Sequence, residues 1–367
     1  MDKIKRFIDI YVPVTTCTLR CHYCYITQHR LFEGALPHFK YSPKHVRKAL
    51  SKERLGGTCL LNFCGGGGTL LVPQMVDFVR ELLEEGHYVM IVTNATVTKR
   101  FEEISKFPKQ LLSHLFFKFS YHYLELKEKN LLERFFSNVR LMRDVGASFT
   151  LEATPSDELI PYIDEMQQAA IDNVGAVNHI TVARDERVAG ELPILTKMNR
   201  DDYKKTWSVF KSEFFDYKMS IFGVKRKEFC YAGAWSFYLN LLTGEASQCY
   251  CSFFRQNIFE DLDKPIKFRP IGNNCKLEHC YNGHAFLVLG LIPELKAPTY
   301  GEIRNRKCVD GTEWLQPEMK AFMNTKLFES NKEYSSLGKF CANTEIKFKE
   351  MCSNIGRLKH IISKIAR

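Results

Sequence analysis

Cys17, Cys21 and Cys24 stand in the order Cys, three residues, Cys, two residues, Cys, with Tyr23 just before the last of them. Three thiolates saturate three irons of a cubane [4Fe-4S] cluster and leave the fourth without a protein ligand. An iron left open in this way can be chelated by a small molecule and can pass it an electron. Structural zinc takes four ligands, usually in two paired groups, so zinc or a chance cluster explains a lone triplet poorly. A second group follows late in the chain: Cys230, Cys249 and Cys251 lie in FCYAGAWSFYLNLLTGEASQCYC, and Cys275 and Cys280 in CKLEHC. Thirteen cysteines without an export signal favour metal ligation over disulfides, because the cytosol keeps thiols reduced.

The elements that must position these groups are read from hydrophobic period. From residue 7 to about 184, short apolar strands at 8–14, 59–63, 88–92, 115–120, 148–153 and 179–183 alternate with helical patterns at 42–55, 73–85, 99–106, 123–145 and 157–173. In the fourth helical stretch Leu124, Leu131, Phe135, Val139 and Met142 recur on one face. A further helix is expected over 200–214. Six strand and helix repeats make an α/β chain with a partial (β/α)6 TIM-like barrel, whose functional groups gather at the C-terminal ends of its strands. The cysteine triplet follows the first strand directly and meets that test.

The other strand ends carry candidates of their own. After the second strand, FCGGGGTLL places Gly65, Gly66, Gly67, Gly68 and Thr69 where a bare backbone can approach a ligand and offer N–H groups. The third strand ends in Thr93 and Asn94, and the fourth in Ser120, a ligand contact or a helix cap. His122 lies two residues on and reads as a ligand contact, a general base or a structural residue. Glu152 sits inside an apolar strand, which is costly unless it is paired or faces a polar cavity. It is the leading cofactor or substrate contact and candidate base, with an ion pair to Lys118 as the alternative. Arg184, with Asp185, ends the sixth strand and suits a carboxylate or phosphate, or a surface ion pair. Cys59 and Cys64 lie within a strand and read as small core residues.

CTLRCHYCY, directly after a first strand, resembles the signature of the radical S-adenosylmethionine (radical SAM) superfamily. The resemblance implies that S-adenosylmethionine chelates the open iron through its amino and carboxylate groups and is reduced to a 5′-deoxyadenosyl radical, with the protein supplying orientation. It implies that the glycine run meets the methionine amino group, although Gly68 and Thr69 stand where Glu and Pro are usual. Thr93 and Asn94 would lie beside the cofactor, and Ser120 would meet the ribose hydroxyls. Residues 230–280 resemble the SPASM and twitch auxiliary-cluster regions, in which a hairpin and a later loop supply cysteines. That implies Cys230, Cys249, Cys275 and Cys280 as ligands of a second [4Fe-4S] cluster, with structural zinc as the alternative. Cys251 would be a substitute ligand or a hydrogen-atom donor.

The expected organisation is a radical SAM barrel over 1–215, a Cys-rich auxiliary region over 216–300 and a helical C-terminal segment over 301–367. Two strands, 236–241 and 246–249, are expected to form a hairpin through Thr243 and Gly244. Residues 359–367, KHIISKIAR, are basic and amphipathic, which fits a closing surface helix or a contact with a membrane or partner.

With 45% hydrophobic and 26% charged residues in 367, the composition is that of a globular chain. Its longest apolar runs fall short of the roughly 18 residues a membrane span needs, and the N-terminus has no small-residue cleavage site. A cytoplasmic location is expected. The net charge of +10 is compatible with an anionic partner or with solvated surface lysines. The chain reaches its first strand at once, which points to a small polar, sugar-like substrate of an oxidoreductase. Modification of a ribosomal peptide is the second reading. A non-catalytic iron-sulfur or zinc protein binding nucleic acid is the third and least favoured. A flavodoxin- or ferredoxin-type reductant is the expected redox partner.

Overall fold

The computed structural model describes residues 2–188 and 190–365, with side chains up to residue 352. Six strands run parallel in chain order: β1 (Arg6–Val12), β2 (Cys59–Gly65), β3 (Tyr88–Thr93), β4 (Leu115–Ser120), β5 (Ser148–Ala153) and β6 (His179–Ile180). The sequence expectation of six strands holds, with shifted ends. β6 is two residues long instead of five, because the chain past it folds back through a bridge between Arg184 and Ile194.

Three expected helices are split: 157–173 is a 3₁₀ segment, Asp157–Tyr162, followed by the helix Ile163–Val174, and two others break for local reasons. The stretch 42–55 is two helices, Pro43–Ala49 and Lys52–Leu55, because the Ser51 side chain accepts from Arg54 N and starts a second cap. The stretch 123–145 breaks into Tyr123–Glu128 and Leu132–Asp144 at Asn130, whose φ of 54° is left-handed, a conformation that Asn tolerates. The helix expected over 200–214 is Arg200–Trp207, followed by a new one, Glu213–Ile221, capped by Ser212.

The hairpin is present as β7 (Ser236–Asn240) and β8 (Glu245–Ser247), extended by β9 (Arg255–Asn257). It does not stand apart from the barrel strands. β7 lies parallel to β1 on the edge opposite β2, so one nine-stranded sheet runs β6-β5-β4-β3-β2-β1-β7-β8-β9.

Strand side chains alternate between two faces. One face of the sheet, with Ile8, Ile10, Leu61, Ile91, Phe117 and Leu151, packs on the helices that connect the strands. The other face, with Phe7, Leu60, Met90 and Phe116, is covered toward the start of the strands by a later segment carrying Phe286, Val288, Tyr300, Met319 and Phe322. Residues beyond 300 are therefore part of the core as well as of the long helix Ser336–Ile365. The amphipathic reading of residues 359–367 rests on side chains outside the described residues. No helix among the described residues is long and apolar enough to cross a membrane.

Candidate active site

At the C-terminal ends of β1 to β4 a cavity of about 140 Å³ is lined by Cys17, Cys21, Cys24, Gly65, Gly66, Gly67, Gly68, Thr69, Thr93, Asn94, Ser120 and His122. The residues singled out in the sequence at four separate strand ends thus meet in one place. Asn94 links two of them, donating from Nδ2 to Cys17 Sγ at 3.4 Å and to Thr18 Oγ1 at 2.9 Å. Thr93 Oγ1 accepts from Ala95 N at 3.2 Å.

The glycine loop is pressed against the cysteine loop. A Cβ on Gly67 would lie 1.8 Å from the Thr16 carbonyl oxygen, and one on Gly66 2.7 Å from that of Val14. None of the four glycines has a positive φ, so close approach, and not backbone freedom, requires glycine here. Thr69 is buried, and its hydroxyl accepts from Gly65 N at 3.0 Å, which fastens the loop from within.

Burial raises the Cys21 and Cys24 thiols, so a metal must displace their protons on binding. Among the described residues no three His, Cys, Asp or Glu side chains converge on a single metal-ion position. The three thiols instead line one cavity. A cubane fits this arrangement because its thiolates go to different irons, and the close-packed glycine backbone beside it could seat a chelating cofactor.

A second cavity, of about 280 Å³, adjoins the first and shares Cys24, Tyr25, Val92 and His122 with it. His122 Nδ1 is 2.8 Å from the Tyr23 hydroxyl, and burial together with Lys118 lowers the imidazole to about 4. It stays neutral through the physiological range.

Glu152 faces this second cavity and is not free. Lys118 Nζ lies 2.9 Å from its Oε1 and Arg304 Nη1 2.5 Å from its Oε2. Burial alone would raise its carboxyl, but Lys118, Arg304 and Lys218 overcome that and hold it down at about 2. The alternative weighed from sequence, a pair with Lys118, is present, and Arg304 was not foreseen. Arg184 lines the cavity wall and pairs with Glu186 at 2.8 Å. Cys64, read from sequence as a core residue, faces the cavity, while Cys59 is buried.

Other cavity residues were not singled out in the sequence. Asp9, inside β1, accepts from Asn62 Nδ2 at 2.7 Å, Tyr250 Oη at 3.1 Å and Asn282 Nδ2 at 3.1 Å. Burial nevertheless raises its carboxyl. Lys218 reaches the floor from the helix Glu213–Ile221. The only available signals were charged residues at the inward positions of a strand or on a helix otherwise buried.

The later cysteines draw together beyond the far wall. Cys280 feels Cys230, Cys249 and Cys275, and burial first, then these neighbours, raise its thiol. Cys230 is pushed up to about 12, first by burial. Cys251 joins them: its thiol lies within hydrogen-bonding reach of that of Cys275, which lowers the Cys275 thiol, and its N–H donates to Cys249 Sγ at 3.2 Å. Four or five thiols in one group could supply ligands to a second cluster, whose thiolates go to different irons, although no three of them converge on a single metal-ion position. Their chain neighbours Tyr250, Tyr281 and Asn282 line the substrate-sized cavity.

Residues 11–154 match the family model of the radical SAM superfamily. No curated protein sequence matches the chain. Among solved structures, Streptococcus suis SuiB bound to S-adenosylmethionine is similar with a TM-score of 0.51 and 16% identity, over 72% of this chain and 66% of SuiB. The chain thus spans just under two thirds of that protein, and at this identity the likeness shows the fold alone. anSMEcpe with bound AdoMet and a Cp18Cys peptide aligns over 97% of this chain and 99% of its own at 14% identity, with a TM-score of 0.47. BtrN in complex with AdoMet and 2-DOIA aligns over 72% and 76% at 13%, with a TM-score of 0.30.

Proposed function

From the radical SAM domain of residues 11–154, we propose that this protein is a radical enzyme that oxidises a small polar substrate, with an auxiliary cluster as electron acceptor. Cys17, Cys21 and Cys24 would hold the first [4Fe-4S] cluster. Gly65, Gly66, Gly67 and Gly68, with Thr93, Asn94 and Ser120, would seat S-adenosylmethionine beside it. When bound, the pair supplies a 5′-deoxyadenosyl radical able to abstract a hydrogen atom. The observation that carries the reading is the wall shared by the two cavities at Cys24, Tyr25, Val92 and His122. A substrate in the second cavity would lie directly beside a cofactor seated in the first, across the wall that Cys24, Tyr25, Val92 and His122 form.

The chain's own residues divide the remaining work. Loss of a hydrogen atom and an electron from a C–H and its neighbouring O–H also releases a proton, which needs an acceptor. Glu152, held ionised by Lys118, Arg304 and Lys218, is a poor one, and Asp9, whose carboxyl is raised by burial, takes that role instead. His122, neutral and tied to Tyr23, orients groups at the shared wall. Cys230, Cys249, Cys275 and Cys280 would hold the auxiliary cluster, with Cys251 as substitute ligand or hydrogen-atom donor. The contact of their chain neighbours with the substrate cavity supports a short path for the electron. A flavodoxin- or ferredoxin-type protein would supply the first electron.

Anaerobic reconstitution tests this reading. About eight irons per chain are expected, as two [4Fe-4S] clusters require, falling to about four in Cys280→Ala. Dithionite with S-adenosylmethionine is expected to yield 5′-deoxyadenosine, and Asp9→Asn to keep that product while losing substrate oxidation. Four irons and one zinc would remove the auxiliary cluster from the proposal. Comparing metabolites and peptides between wild-type and Cys24→Ala strains identifies the substrate, and a ribosomal peptide lighter by two hydrogens would favour the peptide reading. Gly67→Ala is expected to lower iron content severalfold, because its methyl has no room against Thr16. Iron assay beside far-UV circular dichroism checks this, and normal iron loading would contradict it.

A further inference from the structure

The second cavity is lined by one more cationic side chain than carboxylates. Four cations, Lys118, Arg184, Lys218 and Arg304, line it beside three carboxylates, Asp9, Glu152 and Glu186, and three of those cations, Lys118, Arg304 and Lys218, act on Glu152. Lys118 and Arg304 both bond it, which leaves Lys218 without a carboxylate of its own among the described residues. Lys218 is 8% exposed, and its Nζ reaches only the Thr181 hydroxyl. The nearby Arg184 is already paired with Glu186. The remaining acid, Asp9, is engaged by Asn62, Tyr250 and Asn282.

Donors at the same place are also unsatisfied. Arg304 is fully buried, and its Nε and Nη2 have no partner, nor does the buried Nδ1 of half-buried His284. These groups cluster around the Phe214 ring. Arg304 Cζ lies 4.2 Å from its centroid, Lys218 Nζ 5.8 Å and the His284 ring 5.3 Å. Buried donors in native proteins almost always have partners, and unpaired ones cost free energy. A buried cation without a counter-ion costs more. A partner that brings both acceptor oxygens and negative charge would satisfy the free donors and offset the surplus charge together.

We propose that Lys218, Arg304 and His284 form an oxyanion subsite on the cavity floor that binds a carboxylate or phosphate group of the substrate. This deepens the radical-enzyme reading and rests on it for the word substrate, while the anion site itself does not. The anion anchors one end of the molecule below, and the remainder extends toward the shared wall at His122, where the reacting C–H would lie. A cavity of about 280 Å³ admits a small acid or phosphomonoester, or one acidic side chain of a peptide. Burial first, then repulsion from Arg184, Lys118 and Arg304 against the pull of Glu152, keeps Lys218 well below its ordinary value, and an arriving anion would favour its charged form.

The test is calorimetric and does not need the true substrate. The full chain, reconstituted anaerobically with iron, sulfide and S-adenosylmethionine, is titrated with succinate, with inorganic phosphate and with the uncharged analogue succinamide. At least one anion is expected to bind, the tighter of the two naming the substrate's acidic group, while succinamide does not. Lys218→Met is expected to weaken that binding tenfold or more, and Lys218→Arg to keep most of it. Iron content and melting temperature are measured for every variant, so that misfolding or a lost cluster is read separately from a lost anion site. Equal binding of succinamide and succinate, or anion binding that Lys218→Met leaves unchanged, overturns the proposal. So does the absence of anion binding by protein that carries cluster and cofactor. Anion binding that depends on Lys218 in protein that fails to hold iron keeps the subsite and removes the radical reading instead.

Discussion

Cys24→Ala is expected to reduce formation of 5′-deoxyadenosine to background while leaving the protein folded. The side chain of Cys24 makes no cap hydrogen bond at the start of the helix Tyr25–Gln28, and its backbone N–H bonds Cys21 O at 3.1 Å whatever the side chain. Alanine therefore preserves the local turn. The thiol itself borders both cavities, so its loss removes one of three sulfur ligands where the cluster would face the substrate. A cubane held by two thiolates is expected to be lost during reconstitution. Loss of the visible absorbance near the cluster band, with an unchanged melting curve, checks both halves. Cys341→Ser is the matching control, since Cys341 is exposed on the long C-terminal helix. If Cys24→Ala still cleaved S-adenosylmethionine, the triplet would not be the cluster site.

Glu152→Gln is expected to produce the largest loss of stability of any single exchange on the cavity floor. It leaves Lys118 and Arg304 facing each other, with Lys218 close by and no anion between them. Removing one partner of a buried ion pair costs about 3–5 kcal/mol because the other charge remains buried. Arg304→Met is expected to cost less, since Glu152 keeps Lys118 and the surplus of positive charge falls. Denaturant midpoints for the two variants check the order, and the reverse order would contradict it. The same carboxylate predicts an acid limit. Its folded value of about 2 lies below the ordinary 4.5, so its contribution, on the order of 3 kcal/mol, is complete above about pH 4.5. That contribution is lost as pH falls from there toward 2. The acid slope of stability should flatten in Glu152→Gln.

What could be read in the sequence was local. The triplet, the glycine run and the strand ends are short segments whose chemistry sits in consecutive residues, and the strand ends converge because a parallel sheet brings them to one edge. The floor of the second cavity was not legible for the opposite reason. Arg304 reaches Glu152 across 152 positions. Asp9 stands in an apolar strand as Glu152 does, yet it meets its partners Tyr250 and Asn282 only after β7 has docked on β1. Lys218 reads as one more lysine among 52 basic residues. Two of the split helices were missed because a Ser cap and an Asn in left-handed conformation interrupt a period that runs on through them. The two-residue β6 was overestimated because an apolar run says nothing about where its neighbour strand ends.

β1 is a central strand flanked by β2 on one side and, more than 220 residues later, by β7 on the other. Phe7 N donates to Trp235 O at the start of that pairing. During synthesis, then, one edge of β1 stays open until residues 236–240 have left the ribosome, and the inward face of the sheet stays bare until the segment beyond 283 arrives. Contacts of such long sequence separation close slowly, and an open strand edge invites association with other chains. Maturation should therefore run from late closure to metal insertion, and nascent chains halted before β7 should be held by chaperones.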